Sequence, residues 1–320
     1  MSMVDPKIVD GVLSGNRRYL AKALTMVESS GETSDEIRSS LLESLYPYSG
    51  ESYRIGLTGP PGVGKSTLIE SVGSEWIRRG KKVAVLAVDP SSARSGGSVL
   101  GDKLRMPELA RSDMAFVRPS PSGIGKGGIA PRTRESIIVC EAAGYDVIMV
   151  ESVGVGQAEY ALASIVDLFV LLLMPNSGDD VQAVKRGIME MAHVYAITKA
   201  DVDVSATNAA LAAIHSVHSL LRPVTEGWST RVLATSATKN VGISEFVDTC
   251  TEFFVECSAS IKNVRIRQAG VWFDELVREE IVRRWFSDRN MHDTNESLRH
   301  RVKQGEISAH RAFRELFHGH

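Results

Sequence analysis

A glycine-rich segment near residue 60 has the composition and spacing of a phosphate-binding loop. The run Gly-Pro-Pro-Gly-Val-Gly-Lys-Ser fits the pattern Gly-x-x-x-x-Gly-Lys-Ser/Thr, and it stands between an apolar run and an apolar helical pattern. In such a loop the glycines let backbone N–H groups surround a phosphate at a helix N-terminus, whose dipole favours anions. The lysine reaches the β and γ phosphates, and the serine hydroxyl binds Mg²⁺. The residues predicted to bind the nucleotide phosphates are Gly59, Pro60, Pro61, Gly62, Val63, Gly64, Lys65, Ser66 and Thr67.

Acidic residues follow two of the apolar runs that we predict to be strands. Asp89 follows the run 83–88, and Glu151 follows the run 146–150. A carboxylate at the C-terminal tip of a strand beside a phosphate-binding loop is placed to hold Mg²⁺ directly or through water. We therefore predict a metal site formed by Ser66, Asp89 and Glu151, with Asp102 as a third acidic candidate. The predicted catalytic residues are Lys65, Asp89 and Glu151.

The segment Thr-Lys-Ala-Asp at 198–201 is similar to the guanine-reading motif Asn-Lys-x-Asp, with threonine in the first position. An aspartate carboxylate accepts hydrogen bonds from guanine N1 and N2, which adenine cannot supply, while the lysine stem covers the ring. The segment Thr-Ser-Ala-Thr at 235–238 follows the last predicted strand, as the serine-alanine loop does in GTPases. The order of these motifs favours GTP over ATP. The predicted base-binding residues are Thr198, Lys199, Asp201, Ser236, Ala237 and Thr238.

Seven short apolar runs alternate with helical patterns from residue 53 onward. Near-continuous hydrophobicity in a strand indicates burial on both faces, and alternation with helices indicates βαβ crossovers. The sequence therefore predicts an α/β domain with a doubly wound, mostly parallel sheet. The predicted strands are Arg54–Thr58, Lys82–Val88, Met114–Arg118, Asp146–Val150, Leu168–Met174, Val194–Thr198 and Arg231–Thr235.

Helical patterns flank this domain on both sides. Before it, apolar residues recur at helical spacing to about residue 27 and again over 35–45. After it, the patterns 261–286 and 298–317 carry apolar stripes, which either the chain's own core or a second copy must cover. We predict three parts, namely an N-terminal helical extension (1–52), a P-loop GTPase domain (53–257) and a C-terminal helical arm (258–320).

The composition is that of an ordinary soluble globular protein. The 320 residues are 43% hydrophobic and 24% charged with a formal net charge of −2, which argues against nucleic-acid binding by a broad basic surface. Three cysteines without CxxC spacing cannot form a disulfide framework. The N-terminus lacks a signal-peptide pattern, and the longest apolar run, Leu168–Pro175, is too short to cross a bilayer. We expect a cytoplasmic protein that binds neither nucleic acid nor membranes.

Longer segments around these motifs closely resemble the MeaB/ArgK family. The matching segments are 83–92, 96–103, 140–146 and 151–157, the last reading Glu-Ser-Val-Gly-Val-Gly-Gln. Members of this family are G-protein chaperones of adenosylcobalamin-dependent acyl-CoA mutases, and the human methylmalonic aciduria type A protein is a relative. The resemblance implies a Mg²⁺-dependent GTPase that docks on such a mutase and gates the loading, protection or reactivation of adenosylcobalamin. It also implies a homodimer formed partly through the C-terminal helices.

The resemblance further implies three switch segments around the nucleotide. The first covers about 90–102, and the second follows the predicted metal ligand at 151. The third maps to 177–187, where Asp180, Gln182 and Lys185 are the candidates for relaying the nucleotide state to the mutase.

The sequence shows no obvious residue that would position the water attacking GTP. Glu-x-x-Gly at 151–154 departs from the Asp-x-x-Gly of most GTPases, and the nearest glutamine, the switch residue Gln157, comes three residues after the glycine. We therefore expect slow hydrolysis by the isolated protein and stimulation by the partner mutase. Five arginines could act as an arginine finger once a partner docks, although most are expected to be surface or ion-pair residues. They are Arg94, Arg105, Arg118, Arg132 and Arg134.

Two segments depart from the family pattern. Residues 122–128 read Ser-Gly-Ile-Gly-Lys-Gly-Gly where Ser-Ser-Gly-Thr-Leu-Gly-Gly is usual, and residues 181–184 read Val-Gln-Ala-Val in place of Leu-Gln-Gly-Ile. We infer that the nucleotide chemistry is retained while the switch surfaces have diverged. The expected partner is therefore methylmalonyl-CoA mutase or a related isobutyryl- or hydroxyisobutyryl-type mutase.

Two other functions share parts of this pattern. A nickel-type metallochaperone GTPase has the same loop and sheet, but it requires a histidine-rich tract or closely spaced Cys/His ligands, and the histidines here have no such spacing. An ATP-dependent kinase also has this loop, and the relative affinities for GTP and ATP separate it from a GTPase.

Overall fold

A parallel sheet organises the larger of two compact units. The computed structural model describes residues 4–29, 31–89, 106–121, 130–152, 158–175, 186–218, 223–287 and 289–318. The chain divides into one unit of Met1–Arg265 and a second of Ile266–His320. Among the described helices, none is both long and apolar enough to cross a membrane.

The sheet has seven strands in the order β3-β2-β4-β1-β5-β6-β7, and every neighbouring pair is parallel. This confirms the predicted doubly wound α/β fold. The predicted strand Met114–Arg118 ends three residues before the observed end of β3 at Pro121, because β3 lies at the edge of the sheet, where a strand tolerates proline. The strands are β1 (Tyr53–Thr58), β2 (Val83–Asp89), β3 (Ala115–Pro121), β4 (Val147–Glu151), β5 (Leu168–Leu173), β6 (Val194–Ile197) and β7 (Arg231–Ala234).

Helices cover both faces of the sheet, and each face has its own apolar core. The helices in the larger unit are α1 (Pro6–Leu13), α2 (Arg17–Glu28), α3 (Glu32–Leu45), α4 (Lys65–Arg78), α5 (Pro107–Arg111), α6 (Ala130–Ala142), α7 (Ala158–Ala163), α8 (Arg186–Met189), α9 (Val204–His218) and α10 (Ile243–Glu256). Helices α1 to α3 and α6 bury residues such as Leu20 and Leu24 in one cluster with sheet residues such as Ile148. Helices α4 and α10 bury Leu68 and Phe246 with Ile55 against the opposite face. The side chains of each strand therefore alternate between two buried cores, as a parallel sheet requires.

The C-terminal residues form helices, as the periodicity predicts, but the last pattern is interrupted. The helices are α11 (Ser258–Ser287), α12 (Arg289–Lys303) and α13 (Ala309–His318). The predicted continuous helix over 298–317 is wrong, because Gly305 has φ 74° and ends α12. The N–H of Gly305 donates to the Val302 carbonyl and that of Glu306 to the Arg301 carbonyl, which is the Schellman arrangement.

A buried histidine precedes β6, the strand that leads to the predicted base-binding loop. The Phe169 N–H donates to Nδ1 of His193 over 3.0 Å, and Nε2 lies 2.8 Å from the Thr225 hydroxyl. Because Nδ1 is an acceptor, the single ring proton of the neutral imidazole lies on Nε2. Desolvation lowers the pKa of His193 from 6.5 to about 4.

The lowered pKa of His193 predicts how the free energy of unfolding depends on pH. Below pH 6.5 the unfolded chain binds a proton at His193 that the folded chain does not bind, so the free energy of unfolding decreases until about pH 4, by about 3 kcal/mol in total. His193→Asn keeps an acceptor for the Phe169 N–H but does not titrate, and it should remove this part of the decrease. Urea denaturation between pH 4 and 7 measures it, with the exposed His215→Asn as control. Equal pH dependence in wild type and His193→Asn would contradict the assignment.

Candidate functional site

The glycine-rich loop connects β1 directly to α4. Gly62 and Gly64 have φ 78° and 102°, in the left-handed region that favours glycine. A Cβ on Gly59 would lie 2.6 Å from the Leu172 carbonyl oxygen of β5, so only glycine fits there. Helix α4 begins at Lys65, immediately after Gly64. The loop therefore presents the N-terminus of a 14-residue helix at the carboxyl edge of the sheet.

Lys65 is 9% exposed, and its ammonium contacts the backbone of the loop. Its Nζ donates to the carbonyl oxygens of Gly59 at 2.8 Å and Pro60 at 3.2 Å. Burial lowers the pKa of Lys65 from its usual value, whereas the negative charges of Glu151 and Glu159 act in the opposite direction. The loop thus holds a positive charge beside the N-terminus of α4, and this arrangement attracts a phosphate.

Two of the predicted metal ligands, Ser66 and Glu151, meet where the central strands end. Glu151 is the last residue of β4 and is in register with Leu57 of β1 and Ala87 of β2. The Ser66 hydroxyl donates to Oε1 of Glu151 over 3.0 Å. Asp89 is the last residue of β2, so its backbone ends at the same edge of the sheet. Asp102 lies outside the described residues.

This set of oxygen atoms is suited to Mg²⁺, which takes one or two protein carboxylates and completes its shell with phosphate and water oxygens. Within the described ranges, no group of three or more His, Cys, Asp or Glu side chains is placed to hold a metal ion. A hydroxyl and a carboxylate in contact, as in Ser66 and Glu151, are ligands that fit a magnesium ion shared with a nucleotide.

A pair of hydroxyl groups that the sequence reasoning missed lies behind this site. The side-chain oxygens of Thr58 and Ser152 are 2.7 Å apart, and both residues are buried. The Ser152 N–H also donates to the Leu57 carbonyl. These bonds fix the residue after Glu151 to the end of β1. The sequence signal that points to this pair is a hydroxyl residue at the end of the predicted strand 54–58 and another two residues after the predicted strand 146–150.

The predicted base-binding motif is bonded to the predicted phosphate-binding loop. The Thr198 hydroxyl donates to the Val63 carbonyl over 2.6 Å, and it also lies 3.2 Å from the Leu173 carbonyl. Lys199 has φ 55°, and its Nζ donates to the Gly62 carbonyl over 2.8 Å. Threonine in the first position of the motif thus supplies a hydrogen bond that joins the two segments.

These two segments and the 235–238 segment enclose a cavity of about 100 Å³. The Ala200 N–H donates to the Thr235 carbonyl, and the Ser71 hydroxyl on α4 donates to the Ala237 carbonyl over 3.2 Å. Asp201 lies exposed in the turn after β6 and is not one of the lining residues. The residues that line the cavity are Val63, Gly64, Thr67, Leu68, Thr198, Lys199, Thr235, Ser236, Ala237 and Thr238.

The predicted switch residues Gln157, Asp180, Gln182 and Lys185 lie outside the described residues, as do Arg94 and Arg105. The other three candidate arginines contact neighbouring side chains or backbone. Arg118 pairs with Glu28 of α2, Arg132 lies 3.2 Å from Glu135, and Arg134 donates to the Ser164 carbonyl.

Comparisons with known proteins agree with one another over nearly the whole chain. A family model described as "Methylmalonyl Co-A mutase-associated GTPase MeaB" matches residues 20–290. The chain is 42% identical to GTPase ArgK of Escherichia coli over 306 residues, covering 94% of this chain and 92% of the relative. It is 40% identical to the mitochondrial methylmalonic aciduria type A homolog of Mus musculus over 319 residues, covering 96% of this chain and 77% of the relative. A crystal structure of a protein named LAO/AO transport system kinase is 34% identical, covers 98% of both chains and gives a TM-score of 0.74.

The bond between the two loops can be tested by removing its donor. Thr198 is 4% exposed, so Thr198→Val leaves the buried Val63 carbonyl without this partner at nearly unchanged side-chain volume. The free energy of unfolding should fall by about 1–3 kcal/mol, as measured by urea denaturation. Thr198→Ser retains the hydroxyl and should lose less. A valine variant as stable as wild type would show that the bond contributes nothing.

Proposed function

The chain belongs to the MeaB family of methylmalonyl-CoA mutase-associated GTPases, and from this premise we propose that it hydrolyses GTP to GDP and phosphate in association with an adenosylcobalamin-dependent acyl-CoA mutase. The observation that carries the proposal is the direct bonding of the 198–201 segment to the phosphate-binding loop. This bonding holds the proposed phosphate-binding and base-binding segments at a fixed separation. A site that recognises a whole nucleotide must hold both segments in this way.

In this proposal the loop 59–67 binds the phosphates of GTP or GDP. Backbone N–H groups of the loop and the helix dipole of α4 supply donors and positive potential, and Lys65 adds a full charge. The Lys199 stem crosses the loop at Gly62 and covers the base, while the cavity lined by Ser236, Ala237 and Thr238 receives it. Asp201 accepts the guanine N1 and N2 hydrogen bonds, which gives selectivity for GTP.

Ser66 and Glu151 hold Mg²⁺ in this proposal, and Asp89 and Asp102 complete the acidic set. The ion supplies Lewis-acid charge neutralisation at the phosphates. Glu151 accepts a hydrogen bond from Ser66, so both oxygens are oriented before any ligand binds. Neither these contacts nor those of the three candidate arginines in the described residues, Arg118, Arg132 and Arg134, provide a group that positions an attacking water. Hydrolysis by the isolated protein is therefore slow and depends on a partner or on the second switch that includes Gln157.

The partner in this proposal is an acyl-CoA mutase, and the nucleotide state gates adenosylcobalamin loading, protection or reactivation. Asp180, Gln182 and Lys185 relay the nucleotide state. The helical arm 258–320 forms a homodimer, leaving 53–257 as the nucleotide domain and 1–52 as its helical extension. Family membership supports the mutase, and the exposed apolar side chains of the arm, including Ile266, Phe273 and Ile281, support a protein partner for it.

Nucleotide selectivity tests the GTPase assignment against the kinase alternative. We expect wild type to bind GTP far more tightly than ATP, and Asp201→Asn to weaken GTP binding by about a hundredfold with little change for ATP, because two charge-assisted hydrogen bonds are lost. Lys65→Ala should abolish binding of both. Fluorescent-nucleotide titration measures these affinities.

The matched control is Asp203→Asn. The Asp203 carboxylate accepts from the Ala206 N–H over 2.8 Å at the start of α9, so this variant should keep the preference for GTP. Tight ATP binding by wild type, comparable with GTP binding, would overturn the assignment.

Addition of candidate mutases tests the partner. GTP hydrolysis, followed by phosphate release, should rise at least about tenfold with methylmalonyl-CoA mutase or with an isobutyryl- or hydroxyisobutyryl-type mutase, because the partner completes the hydrolytic site. The Lys65→Ala variant should show no stimulation. Unchanged hydrolysis with every such mutase would contradict the association, and the mutase with the strongest effect identifies the partner.

A further inference from the structure

A buried carboxylate other than Glu151 lies close to the glycine-rich loop and has no role in the site described above. Glu159 stands in the first turn of α7 and is 5% exposed. Its Oε2 is buried and has no hydrogen-bond partner among the residues that the structure describes. An ionised carboxylate buried in this way is costly unless a positive charge compensates it. Glu159 therefore requires a compensating cation nearby.

The packing of α7 points Glu159 at the loop. A Cβ on Gly56 of β1 would lie 2.9 Å from side-chain atoms of both Leu162 and Val166, so α7 and the residues after it pack directly on β1. Because α7 connects two parallel strands, it runs antiparallel to them. Glu159 is almost one helical turn before Leu162, on the same face and about 4.5 Å nearer the carboxyl end of β1. The loop begins there, at Gly59.

Lys65 is a cation that lies at that end of β1 and interacts with Glu159. Its ammonium carries three N–H donors, and the Gly59 and Pro60 carbonyls accept from it. Two carboxylates, Glu151 and Glu159, stabilise its charge. Glu151 already accepts from the Ser66 hydroxyl, whereas no donor in the described part of the chain bonds Oε2 of Glu159. Glu159 is thus a counter-ion beside the lysine that the proposed function assigns to phosphate binding.

We propose that Glu159 is a positioning residue that competes with the nucleotide phosphates for the ammonium of Lys65 and thereby speeds nucleotide release. This inference rests on the proposed function. When phosphate occupies the loop, Lys65 pairs with it, and the fixed negative charge of Glu159 opposes the phosphate charge. When phosphate leaves, Glu159 and the loop carbonyls stabilise the ammonium. Both effects lower nucleotide affinity, and both suit a protein that must exchange GDP for GTP.

The sign of this effect separates the proposal from a purely structural role. Glu159→Gln removes the charge at constant shape, so GDP should bind about tenfold more tightly and dissociate correspondingly more slowly. Stopped-flow displacement of a fluorescent GDP analogue measures the rate. Glu159→Asp retains the charge and should remain within about threefold of wild type. Glu245→Gln removes an exposed negative charge from α10 and should have no effect. Unchanged or weaker GDP binding by Glu159→Gln would overturn the proposal.

A double-mutant cycle in nucleotide-free protein tests the same pair without any nucleotide. Lys65→Met should lower the Tm of wild type by at least about 3 °C more than it lowers the Tm of Glu159→Gln, because only wild type leaves a buried carboxylate uncompensated. If Glu159→Gln alone fails to fold while the double variant folds, the pair is strongly coupled and the proposal stands. If both fail, or if the two effects simply add, the proposal is wrong. Absence of GTP and GDP binding by wild type would instead overturn the proposed function, and the cycle would still report on the pair.

Discussion

The buried ammonium of Lys65 is the constraint on which the rest of the site depends. A cation that is 9% exposed must be compensated within the protein, and here two backbone carbonyls of the loop and two carboxylates compensate it. The carbonyls reach the ammonium because the loop turns sharply between β1 and α4. That turn is possible because Gly59 has no Cβ to collide with the Leu172 carbonyl. The compensation of the Lys65 charge, the conformation of the loop and the spacing of β1 and β5 therefore depend on one another.

The same loop also sets the geometry of the base-binding side. Its carbonyl groups at Gly62 and Val63 accept hydrogen bonds from Lys199 and Thr198, so loop carbonyls that α4 does not use are satisfied by the segment that follows β6. At the first position of the motif, the Thr198 hydroxyl reaches the Val63 carbonyl and donates to it over 2.6 Å. The threonine at this position thus connects the two loops.

The sequence predicts features that depend on local patterning, and it misses those that depend on distant pairs. Continuous apolar runs identify all seven strands because burial on both faces of a sheet leaves a strong compositional signal. The ends of β3 and of α12 are less accurate, since one edge strand tolerates proline and one glycine stops a helix. The contact of Thr198 with Val63 joins residues 135 apart, and that of Thr58 with Ser152 joins residues 94 apart. The burial of Glu159 likewise depends on how α7 packs on β1, and sequence periodicity does not indicate that packing.

Helix α4 connects the chemistry of the site to the elements around it. It begins at Lys65, which the proposed function assigns to phosphate binding. The hydroxyl of the next residue, Ser66, donates a hydrogen bond to Glu151. One turn later Glu70 accepts from the Glu108 N–H at 2.6 Å, which fixes the N-terminus of α5, the first described element after the predicted first switch. Ser71 bonds the Ala237 carbonyl of the base-binding cavity. Helix α4 thus makes hydrogen bonds to β4, to α5 and to the 235–238 segment. In the proposed function, this helix connects the phosphate site to the proposed metal ligands and to the flanking loops.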